Sequence, residues 1–349
     1  MAARARLDGL DLARGLALVG MLAAHTLSAG ELVWGDPSTW IGVVDGRSSI
    51  LFATVAGVSL ALMSGRESPP AGQDLVAARV RLLTRAVIVF AVGSLLNLAG
   101  APVAVILEYY AVCMMLCIPL LRLDWQRLAI VAAVAAVAGP VLLRVLIVPV
   151  DAAPGIGTLT ELLVQGYYPV VVWFAFFAAG LALGRAGADR RAVQRSALFG
   201  GTALAVVGYG LGAVLPESVA SSTAGLGATG WDSVLSAAPH SGGVAEVLGS
   251  GGLALAVIGG CLLLPAAVQL VLAPLRAVGA LALTVYSAHV VSLGILAAAG
   301  LPTRGAGVFW TTLVLALVGA WTWRVLLGRG PLERLVGSAA RRAASPAAP

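Results

Sequence analysis

Ten apolar stretches, each long enough to cross a lipid bilayer as a helix, constrain this chain more than any other feature. They fall at 12–29, 48–64, 80–99, 103–121, 128–148, 162–184, 196–215, 247–272, 277–299 and 308–327. A crossing takes ~20 apolar residues, and ~30 to 35 residues per span with its connection divide a chain of 349 residues into roughly ten. Turn signals separate most of the runs: Pro37, Pro69-Pro70, Gly100 with Pro102, Pro149, Pro154-Gly155, Pro216, Pro274 and Pro302. Hydrophobic residues make up 60% of the chain and charged residues 11%, against about 25% charged in an ordinary soluble domain. A soluble enzyme is therefore excluded. So are a disordered chain, a collagen-like one, since the 43 glycines keep no three-residue period, and a disulfide-stapled one, since there are three cysteines. The expected fold is all-α, a polytopic integral membrane helix bundle of about ten transmembrane helices. It forms a single domain over 1–336, with a disordered cytoplasmic tail over 337–349.

The formal net charge of +6 does not indicate nucleic acid, because the basic residues lie between apolar runs and not on a soluble basic face. All 22 of them are arginine. Arginines beside short loops are retained on the cytoplasmic side, and with both termini inside only Arg47, Arg144 and Arg304 fall outside. The expected topology is N-in and C-in, in the plasma (inner) membrane. The first run does not read as a cleaved signal: Asp8, Asp11 and Arg14 interrupt the basic-then-apolar order, and the run carries His25. Cys113 and Cys117 share one run and Cys261 lies in another, which is neither a disulfide framework nor a metal spacing. They read as packing residues, and no metal is expected. The longest outer connection, from Pro216 to Glu246, is rich in Gly, Ser and Ala; loops of that length tend to be functional or mobile.

An ionisable residue inside a membrane helix is costly and marks a functional site or a structural pair. Few are present. His25 lies near the outer end of the first run, Asp45 and Arg47 at the outer start of the second, Asn97 near the outer end of the third, Glu108 just inside the fourth and His289 midway along the ninth. Tyr109, Tyr110 and Tyr286 accompany them, and His240 is in the outer loop. All converge on the outer half of the bilayer. Each also admits a plainer role. Glu108 reads equally as the neutralising partner of Arg47, His289 as an interhelical hydrogen bond, His240 as a solvated loop residue, the tyrosines as packing and Asn97 as a helix cap.

Arg14 and His25 are eleven residues apart, ~1100° of helical rotation, within ~20° of three turns; they share one face and are ~16 Å apart along the axis. One end of that face carries a fixed cation and the other a proton acceptor. Arginine grips phosphate with paired hydrogen bonds, and imidazole takes a proton from a hydroxyl or amine at ordinary pH. A phosphate-bearing donor inside and a nucleophile outside would fit, with Arg79 and Arg81 extending the basic mouth toward an outer polar pocket. The plainer reading makes Arg14 one more retention charge.

The segment from Arg6 to Leu18, Arg-Leu-Asp-Gly-Leu-Asp-Leu-Ala-Arg-Gly-Leu-Ala-Leu, followed by His25, resembles the start of the transmembrane acyltransferase superfamily. The Arg14-x10-His25 spacing is similar to the motif of the acyltransferase-3 family. Asp45-Gly46-Arg47-Ser48-Ser49-Ile50-Leu51-Phe52, leading to Gly57-Val58-Ser59, resembles bacterial heparan-α-glucosaminide N-acetyltransferase-like proteins, as does Ala282-Leu283-Thr284-Val285-Tyr286-Ser287-Ala288-His289. The resemblance implies that an acyl group, expected to be acetyl, passes from cytoplasmic acyl-CoA to a hydroxyl or amine of an extracytoplasmic glycan or glycolipid, with no metal. Carried over by position, Arg14 would lie near the CoA phosphates, with Arg79 and Arg81, and His25 would be the base or acyl carrier. Glu108 would orient or charge-balance the site beside His289. Arg47, Asp45, Asn97, Tyr109, Tyr286 and His240 would contact the acceptor. The loop between the first two runs lacks a histidine, so a loop acetyl-histidine has no counterpart, which leaves His25, His289 or His240. The competing expectation is a multi-pass transporter or lipid flippase that uses the buried histidines and Glu108 to relay protons or hold a head group.

Overall fold

The computed structural model describes residues 7–27, 32, 35–151, 157–214 and 231–345. Regular structure among them is helical throughout. Twelve longer helices organise the described residues: α1 (Asp8–Thr26), α2 (Arg47–Met63), α3 (Gly72–Asn97), α4 (Leu107–Cys117), α5 (Trp125–Asp151), α6 (Val170–Gly187), α7 (Arg191–Val214), α8 (Val244–Leu263), α9 (Ala273–Ala280), α10 (Ala282–Ala298), α11 (Ala306–Leu326) and α12 (Pro331–Ala343). Every apolar run contains a helix. By length and composition, six stretches are sufficient to cross a membrane: Pro37–Met63, Trp125–Ile147, α6, α7, α8 and α11. The bent pair α9 and α10 makes a seventh if counted as one span. The protein is thus a multi-pass helical membrane bundle, with six or seven spans by this standard against the ten expected. The shortfall lies in α1 and α3, which carry charge at Asp8, Asp11, Arg14, Asp74, Arg79, Arg81 and Arg85, and in α4, which has 11 residues.

Where runs and helices differ, the chain chemistry shows why. Pro169 has no N–H to donate and biases the residue before it toward extended backbone, so α6 begins at Val170 and the start of its run, Glu161–Gln165, is a separate π turn. Pro265 likewise stops α8 at Leu263 and leaves Ala266–Val271 as a short helix of its own. The run expected as one helix over 277–299 breaks at Leu281, where α9 and α10 meet at 83°. The stretch from 337, expected as a disordered tail, is helical as far as Ala343; 346–349 lie outside the described residues, as does much of the outer loop at 215–230.

Lipid is as apolar as leucine, so helices in a membrane are drawn together by close packing and small residues mark the contacts. α2 and α6 form the centre. A Cβ added at Gly180 would strike the Thr54 carbonyl oxygen, and one at Gly57 the Phe177 carbonyl oxygen. The same geometry joins α7 to α8 through Gly201, Gly208, Gly252 and Gly259, and α1 to α9 through Gly15 and Gly279. This is where the abundant glycine goes.

Arg185, in α6, is 2% exposed. Its guanidinium donates to the backbone oxygens of Ser64 (3.1 Å), Arg66 (2.5 Å) and Leu121 (3.1 Å) and to Ser64 Oγ (3.3 Å). It therefore satisfies carbonyls at the end of α2 and beyond α4, groups left without intrahelical partners, and its charge complements the negative end of the α2 dipole. Arg185→Ala orphans several buried carbonyls at once and should lower unfolding free energy by roughly 3 kcal/mol, read from denaturation in detergent, with Arg185→Lys intermediate. A loss within experimental scatter would show that these bonds are dispensable.

Candidate active site

At one end of the bundle, α1, α3, α4, the turn before α2 and the segment before α6 enclose a cavity of about 710 Å³. Six residues singled out in the sequence line it together: His25, Asp45, Asn97, Glu108, Tyr109 and His240. They come from positions 25 to 240. The fold therefore assembles what the runs only placed at similar depth.

His25 is half-buried, and its Nδ1 lies 3.2 Å from Nε2 of His289 on α10. The rings are parallel within 5°, with centroids 5.4 Å apart. Only one proton sits between the two nitrogens, so this bond fixes the tautomer of each neutral ring. His289 itself is 4% exposed and lies behind His25, outside the cavity lining. Tyr286, one turn earlier on α10, is buried and its hydroxyl accepts the Ile106 N–H (3.2 Å), which holds α4 against α10. At the start of α10, Glu333 of α12 accepts from the Thr284 N–H (3.0 Å) and hydroxyl (2.5 Å). Three residues of the Ala282–His289 segment thus each lock α10 to a different element.

Glu108 does not pair with Arg47. Its carboxylate accepts from Ser94 Oγ (2.6 Å) and Asn97 Nδ2 (2.8 Å), both on α3, where Gly93 lets α4 approach closely. Arg47 turns away from the cavity: its Nε donates to the Tyr209 hydroxyl (2.9 Å), and its guanidinium stacks 5.2 Å from that ring's centroid. The cause is local. Gly46 holds a left-handed backbone, φ +66°, that L residues with a Cβ resist, and the chain pivots there, leaving Asp45 on the cavity side. Asn97 is not a cap; it is a partner of Glu108.

His240 is not a solvated loop residue. Tyr167 and Tyr168 pack edge-on against its ring at 6.1 and 5.9 Å, and its Nε2 lies 3.3 Å from Asp45 Oδ1. Its N–H donates to Glu246 (2.7 Å), which also accepts from Gly242 and Ser241 and is 5% exposed. The cavity therefore presents a second imidazole, oriented by a carboxylate. Sequence reading missed Tyr167, Tyr168, Glu161, Ser49 and Arg304 in the lining and Ser94 behind Glu108; they fall in connections or have no charge, so depth and ionisability do not select them.

The other end of α1 is basic. Arg14 donates to Asp11 (3.0 Å), to Ser59 on α2 (2.8 Å) and to the Gly279 carbonyl at the end of α9 (3.2 Å). Gly57 and Ser59 of the Gly57-Val58-Ser59 segment thereby have separate jobs, one as a helix contact and the other as a partner of Arg14. On α3, Arg85, which the sequence reading did not single out, interacts electrostatically with Arg14, Arg329 and Arg341, with Glu333 as the acidic member. Arg81 bonds back to Ala77 on its own helix (3.4 Å). On α1 the cavity lining reaches inward to Met21, and Ala17 and Leu18, which lie between it and Arg14, are buried.

Burial disfavours a charge on His240, but the hydrogen bond to Asp45 and the nearby Glu246 carboxylate outweigh it, so its pKa is raised above the ordinary imidazole value. A raised folded pKa gives stability that is complete below the unfolded value of about 6.5 and is lost as pH climbs through the folded value. The stability gap between the native chain and Asp45→Asn should therefore narrow as pH rises above about 6.5, measured by thermal unfolding in detergent. A gap that does not change with pH would mean that His240 is never charged.

With this geometry in hand, comparison with known proteins is informative. The family model for heparan-alpha-glucosaminide N-acetyltransferase, catalytic, matches residues 6–210, more than half of the chain and most of the cavity-lining elements. No curated protein and no solved structure gives a match. The chain belongs to the heparan-alpha-glucosaminide N-acetyltransferase catalytic family, a family of membrane acetyltransferases.

Proposed function

We propose that the protein is a plasma-membrane acetyltransferase of the cell envelope, taking its acetyl group from cytoplasmic acyl-CoA and passing it to a hydroxyl or amine of an extracytoplasmic glycan or glycolipid. One observation carries this reading: an imidazole held by a second imidazole opens onto a cavity that also presents Glu108, Asp45 and His240. In the tautomer where His25 Nδ1–H donates to His289, His25 keeps a lone pair on Nε2, the state required of a general base. The acceptor's N–H or O–H gives its proton to His25 while its lone pair forms the bond to the thioester carbonyl carbon. The C–S bond breaks, and the CoA thiolate takes the proton back. Arg304 and Asn97 supply polar contacts in the same cavity.

CoA phosphates would dock at the opposite end, on Arg14, Arg85, Arg329 and Arg341, a cluster suited to anions because its positive charges outnumber its carboxylates. Because α1 is packed shut at Ala17 and Leu18, donor binding must move α1 against its neighbours before the thioester reaches His25. Closure of this kind keeps water from the thioester.

Purified protein, labelled acetyl-CoA and glucosamine test the reading. His25→Ala should lower kcat by about 10³-fold, whereas His289→Ala, which misorients the base without removing it, should cost roughly ten- to a hundredfold. Undiminished transfer in His25→Ala would shift the chemistry to His240. Substrate uptake without CoA release would replace the enzyme with a transporter.

A further inference from the structure

The histidine pair has a second opening. α10 and α11 part to leave a groove of about 860 Å³, apolar from Leu301 and Pro302 at the His25 end to Trp323 at the other. His289 lines this groove and His25 lines the polar cavity, so their hydrogen bond is the partition between the two. Nδ1 of His289 is buried there and has no hydrogen-bond partner among the described residues. α11 is the least buried of the apolar spanning helices, at 11%, so the groove opens toward lipid. The 299–305 connection forms the threshold. Leu301 and Pro302 face the groove, Arg304 faces the cavity, and Gly305 N–H donates to the Thr26 carbonyl (2.7 Å), which fixes this loop beside His25. Arg304 is exposed and makes no ion pair among the described residues.

We infer that the acceptor is a membrane amphiphile: its hydrocarbon chain lies between α10 and α11, an anionic phosphodiester linkage meets Arg304, and its sugar head group enters the cavity at His25. The inference rests on the acyl-transfer reading and specifies its acceptor class. Three chemically different surfaces follow one another in the order tail, phosphate, sugar, and an amphiphile has the same order. A soluble glycan would use the cavity and Arg304 but leave the groove without a role. Each further methylene buried by the chain adds to affinity, so a chain-bearing acceptor should outcompete its own head group.

The test uses the full chain in phosphatidylcholine nanodiscs, with a prenyl-phosphate-linked glucosamine carrying a photoreactive group in its chain, and glucosamine 1-phosphate as the chain-free control. Photolabel is expected on the α10 and α11 residues that face the groove, and the prenyl-linked acceptor is expected to show a KM at least about tenfold lower than the control. Gly307 and Gly319 line the groove, and a Cβ on either meets no atom within 4 Å. Gly319→Phe therefore fills the groove without crowding the protein, and should remove both the label and the KM advantage. Arg304→Gln should weaken labelling by the phosphate-linked probe and not by the neutral prenyl alcohol. Label spread evenly over lipid-facing helices, or equal KM values for the two acceptors, overturns the inference. Selective labelling in a protein that acetylates neither probe overturns the transfer reading and leaves the lipid site standing.

Discussion

One hydrogen bond, from the imidazole of α1 to the imidazole of α10, organises the end of the bundle where the chemistry is placed. Its direct contribution to stability is modest, since interhelical hydrogen bonds in membranes average about 0.6 kcal/mol. Its consequence is geometric. Two rings that share one proton settle each other's tautomer, and Thr284 and Tyr286, bonded to α12 and α4, leave α10 little freedom to move His289 away. The pair also stands between a polar chamber and an apolar groove, so whatever reacts at His25 meets both environments within a few ångströms.

The two ends of α1 answer to different demands. Arg14 is held by a carboxylate, a hydroxyl and a helix-terminal carbonyl, and sits among arginines that repel one another. Such a cluster is stabilised by an anion more than by anything in the chain itself. Between it and His25 the glycine-mediated contact with α9 and the buried stretch at Ala17 and Leu18 form a tight seal. A transferase working across a bilayer gains from such packing, because an open route would leak ions when the site is empty and admit water to the thioester when the donor is bound.

Much of this was legible in the sequence, and the remainder was not for identifiable reasons. Depth alone gathered His25, Asn97, Glu108, Tyr109 and His240, because ionisable groups in lipid must find one another. Direction around a helix was not legible for Arg47, whose position follows from a pivot at Gly46, or for α3, where Arg85, which the sequence did not single out, interacts with Arg14. Helix ends shifted wherever proline interrupted an otherwise uniform apolar run, at Pro169 and Pro265. Tyr167 and Tyr168 were not singled out because they carry no charge and their run read as one uniform apolar helix, and Arg304 was read only as a charge on the outer side. The break at Leu281 has no proline to announce it, only Gly279 two residues earlier, and hydropathy read straight through it.

The account turns on where the reactive carbon comes to rest, and a structure of the full chain with a non-cleavable thioether analogue of acetyl-CoA would show it. The account places the carbonyl carbon of the analogue about 4 Å from the His25 imidazole, with the nucleotide phosphates among Arg14, Arg85, Arg329 and Arg341 and the α1 seal parted to admit the pantetheine arm. An analogue that threads instead to His240 and Asp45, or that stays at the basic end with Ala17 and Leu18 still packed, would contradict it.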